Sequence, residues 1–164
     1  MRKVLFAAAI ILWISGSALI SKAESGVIQA ENTTITTRVE TGQLTGIRIP
    51  AVQISLALKE GGRLDEKWLV SDIKGLYYRE NDVLIIYGHN TRAVLGNLDK
   101  LNTSDAIYLA DENGRETLYT ATEIKTVTRI EYTKMDLSGK DGVIVTCDGW
   151  RDENRLVVVL KKNI

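Results

Sequence analysis

Three residues carry the side chains best suited to covalent chemistry. They are His89 in Tyr87-Gly88-His89-Asn90, Cys147 in Val145-Thr146-Cys147, and Arg155 in Glu153-Asn154-Arg155-Leu156. Cys147 and His89 are the only cysteine and the only histidine in the chain. A thiol must lose its proton to attack a carbonyl, and an imidazole can take that proton or hold the thiolate as an ion pair. The same imidazole can return a proton to a leaving amine. An arginine brings a fixed fork of donors to a developing oxyanion or to a substrate backbone. The competing reading of the same residues is bland: a small buried hydrophobe at Cys147 and a solvated turn residue at His89.

These residues need elements that bring them together. His89 follows the run Val83–Tyr87, which is apolar throughout and suits a strand buried on both faces. Cys147 ends the β-branched run Val143–Cys147, and Arg155 precedes another, Leu156–Leu160. If these strands are neighbours, all three side chains meet at one end of a sheet. Elsewhere, Ile47 and Ile49, then Val52, Ile54, Leu56 and Leu58, alternate at period two up to the Gly61-Gly62 turn. Ile107–Ala110 and Thr117–Val127 flank Asp111-Glu112-Asn113-Gly114 and predict a hairpin with a positive φ at Asn-Gly. Only Thr91–Leu101 has helical spacing, with Thr91 as cap and Val94, Leu95, Leu98 and Leu101 on one face. Short strands separated by turns, with one helix, predict an all-β barrel or sandwich.

Composition narrows the function classes. The 164 residues suit one domain with a real core. Lys+Arg 21 against Asp+Glu 21 leaves no net charge, which argues against a nucleic-acid partner. One cysteine excludes an internal disulfide, and with one histidine it cannot build a Cys/His zinc cluster. No metal ligand set is expected. The acidic turn Asp111-Glu112-Asn113 is read as a hairpin tip, with a calcium site the lesser alternative; Trp68 is read as a core or loop-anchoring residue.

The N-terminus predicts export. Arg2 and Lys3 precede Val4–Ile20, a run without charge that would span about 25 Å as a helix, close to a bilayer core of about 30 Å. Ser21-Lys22-Ala23 supplies small residues of the kind a signal peptidase accepts. Residues 1–23 are therefore a signal anchor or a signal peptide, 24–45 a polar tether with a short strand at Thr34–Val39, and 46–164 the folded domain. The positive flank keeps the N-terminus inside and places the domain outside. No cysteine follows the apolar run, so no lipid-modified terminus is expected. An unpaired thiol outside the cell is a liability unless it is used.

Taken in order, these stretches resemble the sortase family of cysteine transpeptidases. Ile85-Ile86-Tyr87-Gly88-His89-Asn90 is similar to that family's strand-then-histidine motif, and Val145-Thr146-Cys147 with Arg155 downstream to its Thr-Leu-any-Thr-Cys motif and active-site arginine. Ile47-Arg48-Ile49-Pro50-Ala51-Val52 is similar to its early strand. Val143 stands where the motif has its first threonine, and Asp148 puts a negative charge directly after the thiol. The resemblance covers about Ile47 to Lys162. It implies a closed β-barrel of about eight strands with one or two short helices, behind an N-terminal hydrophobic helix.

The resemblance also implies an activity. Cys147 would attack a C-terminal sorting signal of Leu-Pro-any-Thr-Gly type on a surface protein, forming a thioacyl intermediate. His89 would be general acid and then base, and Arg155 would steady substrate and oxyanion. Asn90, Thr146 and Trp150 would line the substrate site. The acceptor would be an amine of a cell-wall precursor or a pilin lysine, and no cofactor is needed. A retained N-terminal helix would hold the enzyme on the cell membrane, its domain outside; the alternative is secretion. Two other functions fit the residues: a secreted cysteine hydrolase or protease, and a non-enzymatic β-domain that binds a surface partner.

Overall fold

The computed structural model describes residues 42–163 apart from 65, 66, 69, 150 and 151. The expected anchor, most of the tether and its strand, and Trp150 lie outside the described residues. Ten strands are formed: β1 (Leu44–Ile49), β2 (Ile54–Glu60), β3 (Arg63–Leu64), β4 (Lys67–Trp68), β5 (Gly75–Glu80), β6 (Val83–Gly88), β7 (Ala106–Asp111), β8 (Glu116–Thr128), β9 (Gly142–Asp148) and β10 (Asn154–Lys162). Eight close a barrel in the order β1-β2-β5-β6-β9-β10-β8-β7, and β3 pairs with β4 as a separate two-stranded sheet.

Antiparallel neighbours are joined by tight turns where the sequence permits left-handed backbone. Asn81 and Asp82 both take positive φ, 48° and 67°, between β5 and β6, a turn that matches the twist of the paired strands. In the β7–β8 hairpin the positive φ falls on Gly114 alone, at 74°, rather than on both residues of Asn-Gly. The Asp111 carboxylate accepts from the Asn113 and Arg115 amides and pairs with the Arg115 guanidinium, which holds its pKa below the usual value. The acidic tip thus spends Asp111 on its own turn.

Two joints are parallel: β2 with β5, and β6 with β9. The second fixes the site, because it sets Gly88 against Thr146. Strand β6 is buried along its whole length, as its apolar run requires. Its alternate residues feed two cores. Leu84 and Ile86 point inward with Ile144, Leu156, Val158 and Leu160. Ile85 and Tyr87 point outward with Val143, Val145, Val157 and Val159, beneath Tyr132, Met135 and Leu137.

That outer cover begins at α1 (Arg129–Thr133), a helix absent from the sequence expectations. Thr128 caps it: its hydroxyl accepts from the Glu131 amide, and the Glu131 carboxylate accepts from the Thr128 amide. The helix expected over Thr91–Leu101 is not formed. The segment is a chain of turns closing in a 3₁₀ turn at Leu98–Lys100. The Thr91 carbonyl accepts from both Val94 and Gly96, and the Leu95 amide reaches back to the His89 carbonyl at 3.1 Å. Helical spacing still describes the burial, since Val94, Leu95, Leu98 and Leu101 all enter the inner core.

Candidate active site

Cys147 lies on β9 directly opposite Arg155 on β10. On the other side of β9, β6 runs parallel in the register Gly88↔Thr146, and His89 follows Gly88 directly past the end of β6. Neighbouring strands are about 4.8 Å apart. Side chains alternate between faces along a strand, and Cys147 shares parity with Val143 and Val145, and Arg155 with Val157 and Val159. Cys147 and Arg155 belong to the outer face of adjacent strands, and His89 follows the neighbouring β6 at the same end of the barrel. Two registers, one parallel and one antiparallel, bring the ends of β6 and β9 and the start of β10 to one end of the barrel.

The buried residue that locks this arrangement is Thr146. Its hydroxyl donates to the Gly88 carbonyl at 2.9 Å, and it is the one polar residue fully buried among the described residues. Its side chain is spent joining the strands of His89 and Cys147. Asn90 is exposed beside His89. His89 itself is one-third exposed at its side chain, with Nε2 3.6 Å from a carboxylate oxygen of Asp72. Asp72 precedes β5 and carried no sequence signal, because its partner is known only once β5 and β6 pair.

The thiol is half-buried, and burial pushes its pKa above the ordinary value. Arg155 and, more weakly, Arg129 pull it down. Asp152 pushes it up by its negative charge. Asp148, the negative charge expected to bear on the thiol from the sequence, points the other way. It shares parity with Ile144 and Thr146, and its carboxylate accepts from the Thr126 hydroxyl at 3.1 Å and from the Gly149 amide. The carboxylate whose charge raises the Cys147 pKa is Asp152, which lies between β9 and β10 in sequence.

Arg155 is fixed by main chain. Its Nη1 donates to the carbonyls of Asp152 at 2.8 Å and Asn154 at 2.7 Å. Farther along the same outer face is a cleft of about 370 Å³, whose apolar lining includes Tyr78, Val83, Ile85, Tyr132, Met135 and Leu137. Among the described residues no group of three His, Cys, Asp or Glu side chains is placed to hold a metal ion.

The described residues thus form a closed eight-stranded barrel with Cys147 and Arg155 paired on two neighbouring strands and His89 directly after a third. The family model for the sortase domain matches residues 47–163, most of the chain, and the chain belongs to the sortase family. Solved structures agree in fold. Sortase A of Listeria monocytogenes is 23% identical with a TM-score of 0.59, over 75% of this chain and 88% of that one. Sortase C of Clostridium perfringens is 22% identical with a TM-score of 0.57, over 76% and 72%. Sortase C-1 of Actinomyces oris is 21% identical with a TM-score of 0.59, over 73% and 71%. No curated protein sequence matches.

Proposed function

We propose that the chain is a cysteine transpeptidase that cleaves a Leu-Pro-any-Thr-Gly-like sorting signal and transfers the acyl group to an amine. The observation that carries this is the pairing of Cys147 with Arg155 on β9 and β10, with His89 directly after the neighbouring β6, in a chain of the sortase family. Because burial and Asp152 favour the neutral thiol, little thiolate exists at neutral pH without a base. His89 supplies it. The sulfur attacks the scissile carbonyl, and Arg155 stabilises the oxyanion. The C–N bond then breaks, the imidazolium protonates the leaving amine, and a thioester remains on Cys147. An incoming amine attacks the thioester, gives its proton to His89, and releases the thiol. The steps as written need no cofactor.

The substrates would be surface proteins bearing such a signal, and the acceptor a cell-wall precursor amine or a pilin lysine. The cleft beside Ile85 and Tyr132 offers apolar side chains on the face that bears the thiol. Val4–Ile20 would anchor the chain in the cell membrane with the barrel outside, where such substrates emerge. Asn90 and Trp150 would contact substrate near His89 and Cys147.

The test is to incubate the whole purified chain with a library of Leu-Pro-any-Thr-Gly-like peptides and a small amine, followed by mass spectrometry. A peptide acyl adduct on Cys147, with amine-capped products that vanish in Cys147→Ala, is the expected result. Cleavage with no amine capture would assign a hydrolase instead. Neither adduct nor cleavage across the library would overturn the reading in favour of a binding domain.

A further inference from the structure

Arg155 is held by its own chain before it meets any substrate. Its Nη1 donates to the Asp152 carbonyl at 2.8 Å and to the Asn154 carbonyl at 2.7 Å. The carbonyl between them, that of Glu153, accepts from the Arg129 amide at 3.0 Å, at the first residue of α1. Three successive carbonyls are thus committed, two to the guanidinium and one to α1. The chain makes this arrangement with Asp152 in the left-handed region, at φ 58°. That conformation is uncommon for a residue with a Cβ; Asn, Asp and Gly tolerate it best and β-branched residues least. We infer that Asp152 is a positioning residue for Arg155 that acts through its backbone: the left-handed turn at Asp152 presents the carbonyl that holds the guanidinium on the strand opposite Cys147. The role rests on the transpeptidase reading, in which Arg155 must meet the oxyanion.

An arginine side chain samples many rotamers, and ordering it for each turnover costs entropy. Two main-chain acceptors on Nη1 remove that cost in advance, and the fork has further donors on Nε and Nη2. The turn has little slack. β9 ends at Asp148 and β10 begins at Asn154, so a change of φ at Asp152 has few residues over which to be absorbed. Glu153 is also tied to α1, which fixes the segment from its other side. The Asp152 side chain itself is exposed, so its packing makes no demand on the position. Its charge opposes the thiolate that Arg155 favours. What the site gains from Asp152 is therefore its main chain.

The measurement is the rate of Cys147 alkylation by iodoacetamide from pH 5 to 10, on the whole chain, for Asp152→Asn, Asp152→Gly, Asp152→Val and Asp152→Thr, each with Arg155 and with Arg155→Gln. All four replacements are uncharged, so the loss of the carboxylate is common to them. They differ in backbone: Asn and Gly accept the left-handed region, and Val and Thr do not. With Arg155 present, the Val and Thr variants should show a higher thiol midpoint and a slower neutral rate than Asn and Gly, because the guanidinium is no longer held. Each unit of rise leaves about tenfold less thiolate below the midpoint and makes it about threefold more nucleophilic, so the neutral rate falls about threefold. In the Arg155→Gln background the four profiles should coincide. Coincident profiles with Arg155 present would overturn the inference. So would a gap of the same size in Arg155→Gln, since Asp152 would then act by a route other than Arg155. Alkylation needs no peptide, so a failure of the peptide assay and a failure of this one are separate results.

Discussion

The Thr146 hydroxyl donates to the Gly88 carbonyl at 2.9 Å, across the parallel joint between the strand that ends before His89 and the strand that bears Cys147. One buried hydrogen bond therefore ties the residue before His89 to the residue before Cys147. In Thr146→Val the shape is kept and the donor is lost, leaving a buried carbonyl short of a partner. The expected cost is about 1–3 kcal/mol in urea unfolding. Because the joint loosens at the site, turnover should fall more than peptide KM rises. Unchanged turnover at reduced stability would make Thr146 a structural residue only.

Much of this site was legible in the sequence, for a physical reason. β6, β9 and β10 are apolar or β-branched runs, and the residue types at their ends are rare in the chain. Their adjacency was not legible. The parallel β6–β9 register depends on a connection that passes through β7, β8 and α1, and nothing local encodes it. β5 went unread because Gly75, Leu76 and Tyr77 are buried in succession and then give way to polar residues, with no alternation to see. The signal for α1 was present, since Thr128 and Glu131 have capping-box spacing, but the helix is too short for periodicity. Thr91–Leu101 shows the reverse error, a helical pattern satisfied by turns.

Arg155 is expected to act through its fork of donors. Nη1 is engaged by two carbonyls that fix the guanidinium beside Cys147. Lysine keeps the charge but cannot hold two carbonyls and present further donors in a plane. Arg155→Lys should lower kcat/KM for the best peptide by about 10²-fold, the scale of one lost oxyanion donor. Its thermal midpoint should stay near the native value. Full activity in the lysine variant would remove Arg155 from the chemistry.

Gly96 sets the turn that follows His89. A Cβ there would lie 2.5 Å from the Thr91 carbonyl carbon and 2.8 Å from the Arg92 nitrogen, backbone atoms that cannot rotate away. Gly96→Ala should therefore destabilise by about 1–3 kcal/mol, the usual range for overpacking. It should also displace the Leu95 amide from the His89 carbonyl, so that activity falls further than stability. Gly62→Ala is the control, since a Cβ there meets nothing within 4 Å. Equal losses in the two variants, by calorimetry and peptide turnover, would refute the assignment.

Alkaline pH should weaken the fold through three groups. Burial raises the pKa of the Cys147 thiol above 9.0, and of the Tyr87 and Tyr119 phenols above 10.0. In each case the folded chain keeps a proton that the unfolded chain gives up, so the stabilisation is complete below the ordinary pKa and is lost as pH rises through the raised one. Thermal midpoints should be flat from pH 6 to 8 and fall from about pH 9 upward. Tyr119→Phe should flatten that fall. Tyr87→Phe should flatten it too, while costing about 1 kcal/mol at neutral pH, because the Tyr87 hydroxyl also donates to the Gly62 carbonyl and accepts from its amide. A midpoint that rises between pH 8 and 10.5, or variants with the native slope, would contradict these directions.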